Sequence, residues 1–289
     1  LKEHSFNGEC NDIVNCRFHD TIFIDGDRGI GKTAFMVNIE KYYNDNKKDF
    51  DKKYIFLNPI DPTLLEHTEK FLSIVFAKIV EMVSNRFDKQ NIEVKLADQY
   101  FESLEKLSKS LSAIKTLPKD EGIEEIASYK SSLKLEQNSH DFFKIVSDIF
   151  EVNALVILID DVDMAFDKGF DVLEVVRKYL ASPYLIPIVA GDKKLYREIV
   201  ETRFREQTMF FKDIEYIKNI NGVIPIKNAR AHAEKKELID NLVDQYLSKL
   251  FPSEYHIELK DIVSIIKQNE VNVKFFENDE EFVVPFTEI

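Results

Sequence analysis

The chain has 289 residues, 44% of them hydrophobic, with 8 glycines, 8 prolines and a net charge of −13. It reads as an ordinary folded protein, one large domain or a core with a smaller companion, long enough to bury its apolar surface without disulfides or metal. The acidic balance argues against a broad nucleic-acid-binding surface, which is more often basic.

Cys10 and Cys16 are the only cysteines. They are too few for a secreted disulfide scaffold or a four-ligand zinc site, and are read as reduced structural thiols. No apolar run approaches the roughly 20 residues of a bilayer span, since "LSIVFAKIV" is short and broken by Lys78. No membrane partner is therefore expected. With no signal peptide, the cytoplasm is the expected compartment. The chain opens on Leu1 rather than Met, the pattern of a piece of a longer protein whose effector or sensor domains lie elsewhere.

In chain order, "TIFID" is a short apolar run with β-branched and aromatic residues, expected as a buried strand. "KTAFMVNIEKYYNDN" follows with helical spacing of Phe35, Ile39 and Tyr42/Tyr43, and stops near Asn44–Asn46. "KKYIFLNPIDP" is a second strand ended by Pro59 and Pro62, and "TLLEHTEKFLSIVFAKIVEMVSNRF" a long amphipathic helix. Residues 90–150 are mostly polar and helical in pattern, with Pro118 and Gly122 marking a turn. "ALVILIDDVD" is a continuous apolar strand of the kind buried on both faces of a parallel sheet. "FDVLEVVRKYLAS" is a helix, "YLIPIVAGD" a strand and "KKLYREIVETRFRE" a helix, after which "FFKDIEYI" and "GVIPI" compete for a fifth strand. "ARAHAEKKELIDNLVDQYLSKLF" is a long helix closed by Pro252, and the remainder mixes a helix with short strands. Alternating strands and helices predict a three-layer α/β fold around a parallel sheet. The expected organisation is a core over 1–225, with a helical insertion at about 60–150, and a C-terminal lid or small α/β element over 226–289.

"GDRGIGKT" fits the phosphate-loop pattern at Gly26, Gly31, Lys32 and Thr33, with strand before and helix after. Gly29 adds backbone freedom, so that successive N–H groups can turn toward phosphates. The helix opening near Gly31 brings its positive N-terminal end to the same place. Lys32 is expected at the β- and γ-phosphates and Thr33 at Mg²⁺. Asp27, Arg28, Ile30 and Ala34 complete the loop and its first helical turn, with Arg28 toward solvent or an interface.

A nucleotide-hydrolysing site also needs a carboxylate for the metal at the end of a neighbouring buried strand. Asp160 follows five apolar residues and is the expected Mg²⁺ holder, through water or through Thr33. Asp161 stands where a general base or water positioner would stand. Asp163 reads equally as a third polar group at the site and as an N-cap for the next helix.

With these residues in place, the sequence resembles the additional-strand P-loop ATPases, namely the AAA+ and STAND groups and their KAP-like relatives. "GDRGIGKT", "LVILIDDVD" and "LIPIVAGD" carry the resemblance over about residues 20–205. It implies ATP and Mg²⁺ as ligands and a homo-oligomer, in a ring or a nucleotide-dependent assembly, with a protein partner or effector. It implies a sensor role at Asp192, where many AAA+ proteins have Asn. It also implies a trans-acting arginine at Arg203 or Arg205 and a second sensor at Arg230. "IDDVD" resembles the KAP form, and Asp161 replaces the glutamate usual in AAA+ motors, which fits slower turnover. ATPase subunits of bacterial antiviral defence, such as the RADAR type, are similar in style. Two readings stay open on the same residues: an ATPase that couples hydrolysis to assembly or partner action, and a nucleotide-gated switch or scaffold with little turnover. A nucleic-acid-acting ATPase is a third reading, set back by the charge of −13.

Overall fold

The run Ala154–Ile159 has six apolar residues in succession, and all six are buried. Only a strand covered on both faces disposes of such a run. In a computed structural model, which describes residues 20–64, 70–89, 92–116, 123–165, 168–210, 226–260, 272–277 and 280–285, that strand lies inside a five-stranded sheet. The elements in chain order are β1 (Ile22–Asp25), α1 (Lys32–Asp45), β2 (Tyr54–Phe56), α2 (Phe71–Lys89), α3 (Val94–Thr116), α4 (Ile123–Phe150) and β3 (Ala154–Ile159). They continue with α5 (Gly169–Tyr179), β4 (Leu185–Gly191), α6 (Lys193–Phe210), α7 (Ile226–Leu250), β5 (His256–Glu258), β6 (Asn272–Glu277) and β7 (Glu280–Pro285).

The sheet runs β2-β3-β4-β1-β5, and every pairing in it is parallel. β4 is thus inserted between the strand before the glycine loop and the strand before the aspartate pair, which is the additional-strand arrangement. Side chains alternate across the sheet. Ile24, Val156, Leu158, Ile188 and Ala190 pack with Met36 of α1 on one face. Phe23, Leu155, Ile157, Ile159 and Val189 pack on the other face with the core of α2 and α4–α7. The result is the three-layer α/β fold expected, with α1 on the first face among the described residues.

The long helix expected from Thr63 begins instead at Phe71. Pro62–Leu64 form a 3-10 turn, because the Asp61 carboxylate takes the Thr63 amide at 2.8 Å and its hydroxyl at 2.6 Å, a local bond that competes with helix formation. In the insertion, α3 and α4 run antiparallel. Tyr100 meets the Phe142 ring at 5.9 Å, and Asn138 donates to the Ser110 hydroxyl at 2.7 Å. The turn expected at Pro118 and Gly122 lies outside the described residues, as do both cysteines and most of the two stretches expected to compete for a fifth strand.

The fifth strand of the sheet is β5, which pairs with β1 through Phe23↔His256, Ile24↔Ile257 and Asp25↔Glu258. It comes from the stretch expected to form the C-terminal element. α7, from the same stretch, buries Ile239, Val243, Leu247 and Leu250 in the main core. β6 and β7 form a separate antiparallel hairpin. Among the described residues no helix is long and apolar enough to cross a membrane.

One ion cluster ties α5 to α7. Glu174 accepts hydrogen bonds from Arg177 at 2.8 and 3.0 Å and pairs with Lys178, and the Arg177 guanidinium lies 5.6 Å from the Tyr246 ring centre. Burial alone would raise the Glu174 carboxyl, but these bonds outweigh it and hold it down to about 2. A depressed carboxylate contributes stability above its ordinary titration range and loses it as pH falls toward the folded value. Glu174→Gln is therefore expected to cost about 1–2 kcal/mol at pH 7. Urea melts should show the gap to wild type closing between about pH 5 and pH 2. A gap that does not change with pH would remove the ion cluster as its cause.

Candidate functional site

The site forms where the C-terminal ends of β1, β3 and β4 meet. β1 stops at Asp25, and the Gly26 amide still donates to Gly191 of β4 at 3.2 Å. The chain then turns through Gly29 at φ 82° and Gly31 at φ 100°, left-handed conformations that favour glycine. Gly31 opens α1, and no side chain caps it. The N-terminal end of α1 is therefore free to receive an anion.

Lys32 is the informative residue of the loop. It is only 8% exposed. Its ammonium donates to two main-chain carbonyls, Gly26 O at 2.7 Å and Asp27 O at 3.1 Å. Among the described residues it forms no ion pair. The charges of Asp161 and Asp163 act on it without a direct ion pair, so the buried ammonium remains able to meet an anionic group. Asp27, Arg28, Gly29 and Ala34 are exposed around it, and Ile30 is half-buried.

The second half of the site reaches this loop directly. The Thr33 hydroxyl donates to Asp160 Oδ2 at 2.6 Å, joining residues 127 positions apart in the chain. Asp160 is buried, and its other oxygen accepts the Asp161 amide at 3.0 Å. One hydroxyl and one carboxylate at this distance suit a hard cation that keeps several waters and takes its remaining ligands from phosphate, as Mg²⁺ does. Among the described residues no cluster of three ligating side chains forms, so an all-protein metal cage is not the pattern here.

Asp161 is held in the left-handed region at φ 51°, which is costly for a residue with a side chain. Burial raises its carboxyl first, then the charges of Asp160, Asp61 and Asp163 push it further, against the pull of Lys32. Asp163 is 4% exposed and accepts the Asp192 amide on Oδ2 at 2.9 Å. It does not cap the following helix, since Lys168 occupies the N-cap position of α5. Burial raises the Asp163 carboxyl too.

The KAP family P-loop domain model matches residues 12–276. The chain belongs to the KAP family of P-loop domains. No curated protein matches it. As a KAP P-loop NTPase domain it carries a nucleotide site, and the fold brings the loop, Lys32, Thr33 and Asp160 together.

Other residues singled out in the sequence of this KAP domain are placed differently. The Asp192 carboxylate caps α6 by accepting the Lys194 amide at 2.8 Å. Arg203 and Arg205 lie far along α6, paired with Glu206 and Glu201 of the same helix. The Arg203 guanidinium also covers the Phe170 ring at 5.7 Å. Among the described contacts neither arginine touches the loop or the aspartates. Arg230 lies on α7, and its side chain is outside the described residues.

Three groups in the KAP site escaped the sequence reading. Asp25, the last residue of β1, accepts the Lys193 amide at 3.0 Å and faces His256 Nε2 at 3.0 Å. Asp61, one position past the Ile60↔Ile159 bridge, adds its charge beside Asp161. Tyr196, fully buried, donates to Ala190 O at 2.7 Å. A carboxylate ending the loop's own strand was a usable signal for Asp25. Nothing local marks the other two. A cavity of about 1030 Å³ opens beside the loop, lined by Gly26, Asp27 and Ile30 with Asp25, Asp192 and His256.

Proposed function

We propose that this domain binds ATP with Mg²⁺, hydrolyses it slowly, and uses the nucleotide state to control assembly with copies of itself or action on a protein partner. The Thr33–Asp160 contact of 2.6 Å carries this reading. A hydroxyl and a carboxylate this close would both fit in the coordination sphere of a nucleotide-bound cation, which supports the reading. Bound Mg²⁺ would neutralise charge on the β- and γ-phosphates. Lys32 would leave its two carbonyls for the phosphate oxygens, and the α1 N-terminus would hold the rest of the triphosphate. Asp161 would orient or deprotonate the attacking water. Membership of the AAA+/STAND kind, and a place in antiviral defence, rest on resemblance. Arg203 or Arg205 would act on a neighbouring subunit's nucleotide, a role that needs each to leave its present carboxylate.

A second reading is a nucleotide-gated switch with little turnover. It is favoured by the short side chain of Asp161 and by the burial and neighbouring carboxylates that raise its carboxyl.

ATP binding and steady-state hydrolysis, with and without Mg²⁺ and with oligomeric mass followed in parallel, test the proposal. Wild type should bind ATP about tenfold more tightly with Mg²⁺ than without, and Asp160→Ala should lose that difference. Assembly on ATP without turnover selects the switch. A wild-type domain that binds no nucleotide ends both readings.

A further inference from the structure

Three successive N–H groups at the start of α6 end on carboxylates. Asp192 N donates to Asp163, Lys193 N to Asp25, and Lys194 N to Asp192 itself. Two of those acceptors belong to the nucleotide site. Asp163 follows the aspartate pair after β3, and Asp25 ends the strand that enters the glycine loop. We propose that Asp163 is a positioning residue that fastens the nucleotide site to the start of α6, so that the helix moves with what the site holds. This rests on the reading of the site as an ATP site.

The packing makes that junction stiff. Tyr196 in the first turn of α6 bonds back to Ala190 of β4, and its ring sits so close to Gly191 that a Cβ there would meet it at 2.5 Å. The second oxygen of Asp163 is buried and without a hydrogen-bond partner among the described residues. A core position would not hold such a carboxylate for packing alone, because the desolvation is uncompensated. Burial raises Asp163, while the Asp192 amide and the Lys32 ammonium favour its charged form. Its second oxygen is thus in reserve close to the group expected to meet the phosphates. Farther along α6, Arg197 pairs with Asp244 and Asp240 of α7. α6 has 18 residues, about 27 Å of rigid helix, and carries Arg203 and Arg205 in its second half. A small shift beside Asp160–Asp163 is therefore carried to α7 and to the arginine-bearing end.

Hydrogen exchange of the peptide covering Asp192–Tyr196, with and without Mg²⁺ and ATP, tests this together with kcat and KM. In wild type, exchange there should slow at least about threefold on ATP. Asp163→Ala should lose that response and drop kcat about tenfold with KM within about threefold. Asp163→Asn keeps an acceptor for the Asp192 amide and should restore both to within about threefold of wild type. Thermal melts separate this from misfolding, and the wild-type exchange response needs no variant. Wild type that binds ATP with no change at Asp192–Tyr196 overturns the proposal. So does an alanine variant that keeps the change, or an asparagine variant as impaired as alanine. Wild type that binds no ATP overturns the nucleotide reading itself.

Discussion

Lys32→Ala is expected to weaken ATP binding about 100-fold or more, the scale on which removing one partner of a buried charge contact acts. The fold should survive. Among the described residues Lys32 donates to the Gly26 and Asp27 carbonyls, and its removal breaks no direct ion pair. Asp27 is exposed, so water can replace the lost donor there. Calorimetric titration with ATP and a thermal melt of the same sample read the two effects separately. A variant that still binds within about threefold of wild type would show that the loop amides and the α1 N-terminus hold the phosphates without this charge.

Asp161→Asn is expected to lower turnover by about 10²–10⁴-fold while ATP still binds, the range of a lost general base. The same substitution should stabilise the nucleotide-free protein. Burial and the neighbouring Asp160, Asp61 and Asp163 raise the Asp161 carboxyl above its ordinary value. A group raised on folding contributes most to stability below its unfolded pKa, and that contribution is lost as pH rises through the folded one. At pH 7 the ionised Asp161 is thus a burden that asparagine does not carry. Because the group is partly open to solvent, which screens these charges, the melting midpoint should rise only slightly. Melts in acid should bring variant and wild type together. The wild-type rate profile should show the matching sign, with its acid limb above the ordinary aspartate range near pH 3.9, because a base works only when ionised. Turnover that persists in Asp161→Asn would move the base to another carboxylate, with Asp61 and Asp163 the nearest charges.

The parts of this protein that were legible in its sequence are those written in consecutive residues. "GDRGIGKT" between a strand and a helix names its own geometry, because glycine at 29 and 31 answers a left-handed backbone. "ALVILIDD" likewise carries burial and chemistry in one run, and the Thr33–Asp160 contact follows once both strands share a sheet. The strand that closes the sheet was illegible. His256–Glu258 is three residues long, and its last two are exposed, so no periodicity could mark it. Asp192 stands after β4, where the resemblance implies a sensor, and its carboxylate also caps α6, a role its place at a helix start allows. Asp61 was passed over because its strand ends in a proline-rich turn. Its proximity to Asp161 depends on register between strands that meet across about a hundred residues.

The pairing of β1 with β5 also bears on how the protein is made. Asp25 and His256 are 231 positions apart, yet they bond at the strand end that enters the glycine loop. During synthesis the loop and the aspartate pair leave the ribosome long before the strand that covers the open edge of β1. Until then that edge presents unpaired amides and carbonyls, the surface on which chains pair with the wrong partner. Contacts this distant in the chain also form late, since the closure of so long a segment precedes any gain from it. Premature termination before His256 would therefore release a product with its phosphate loop sequence complete and its sheet edge bare, a natural substrate for chaperones and proteases.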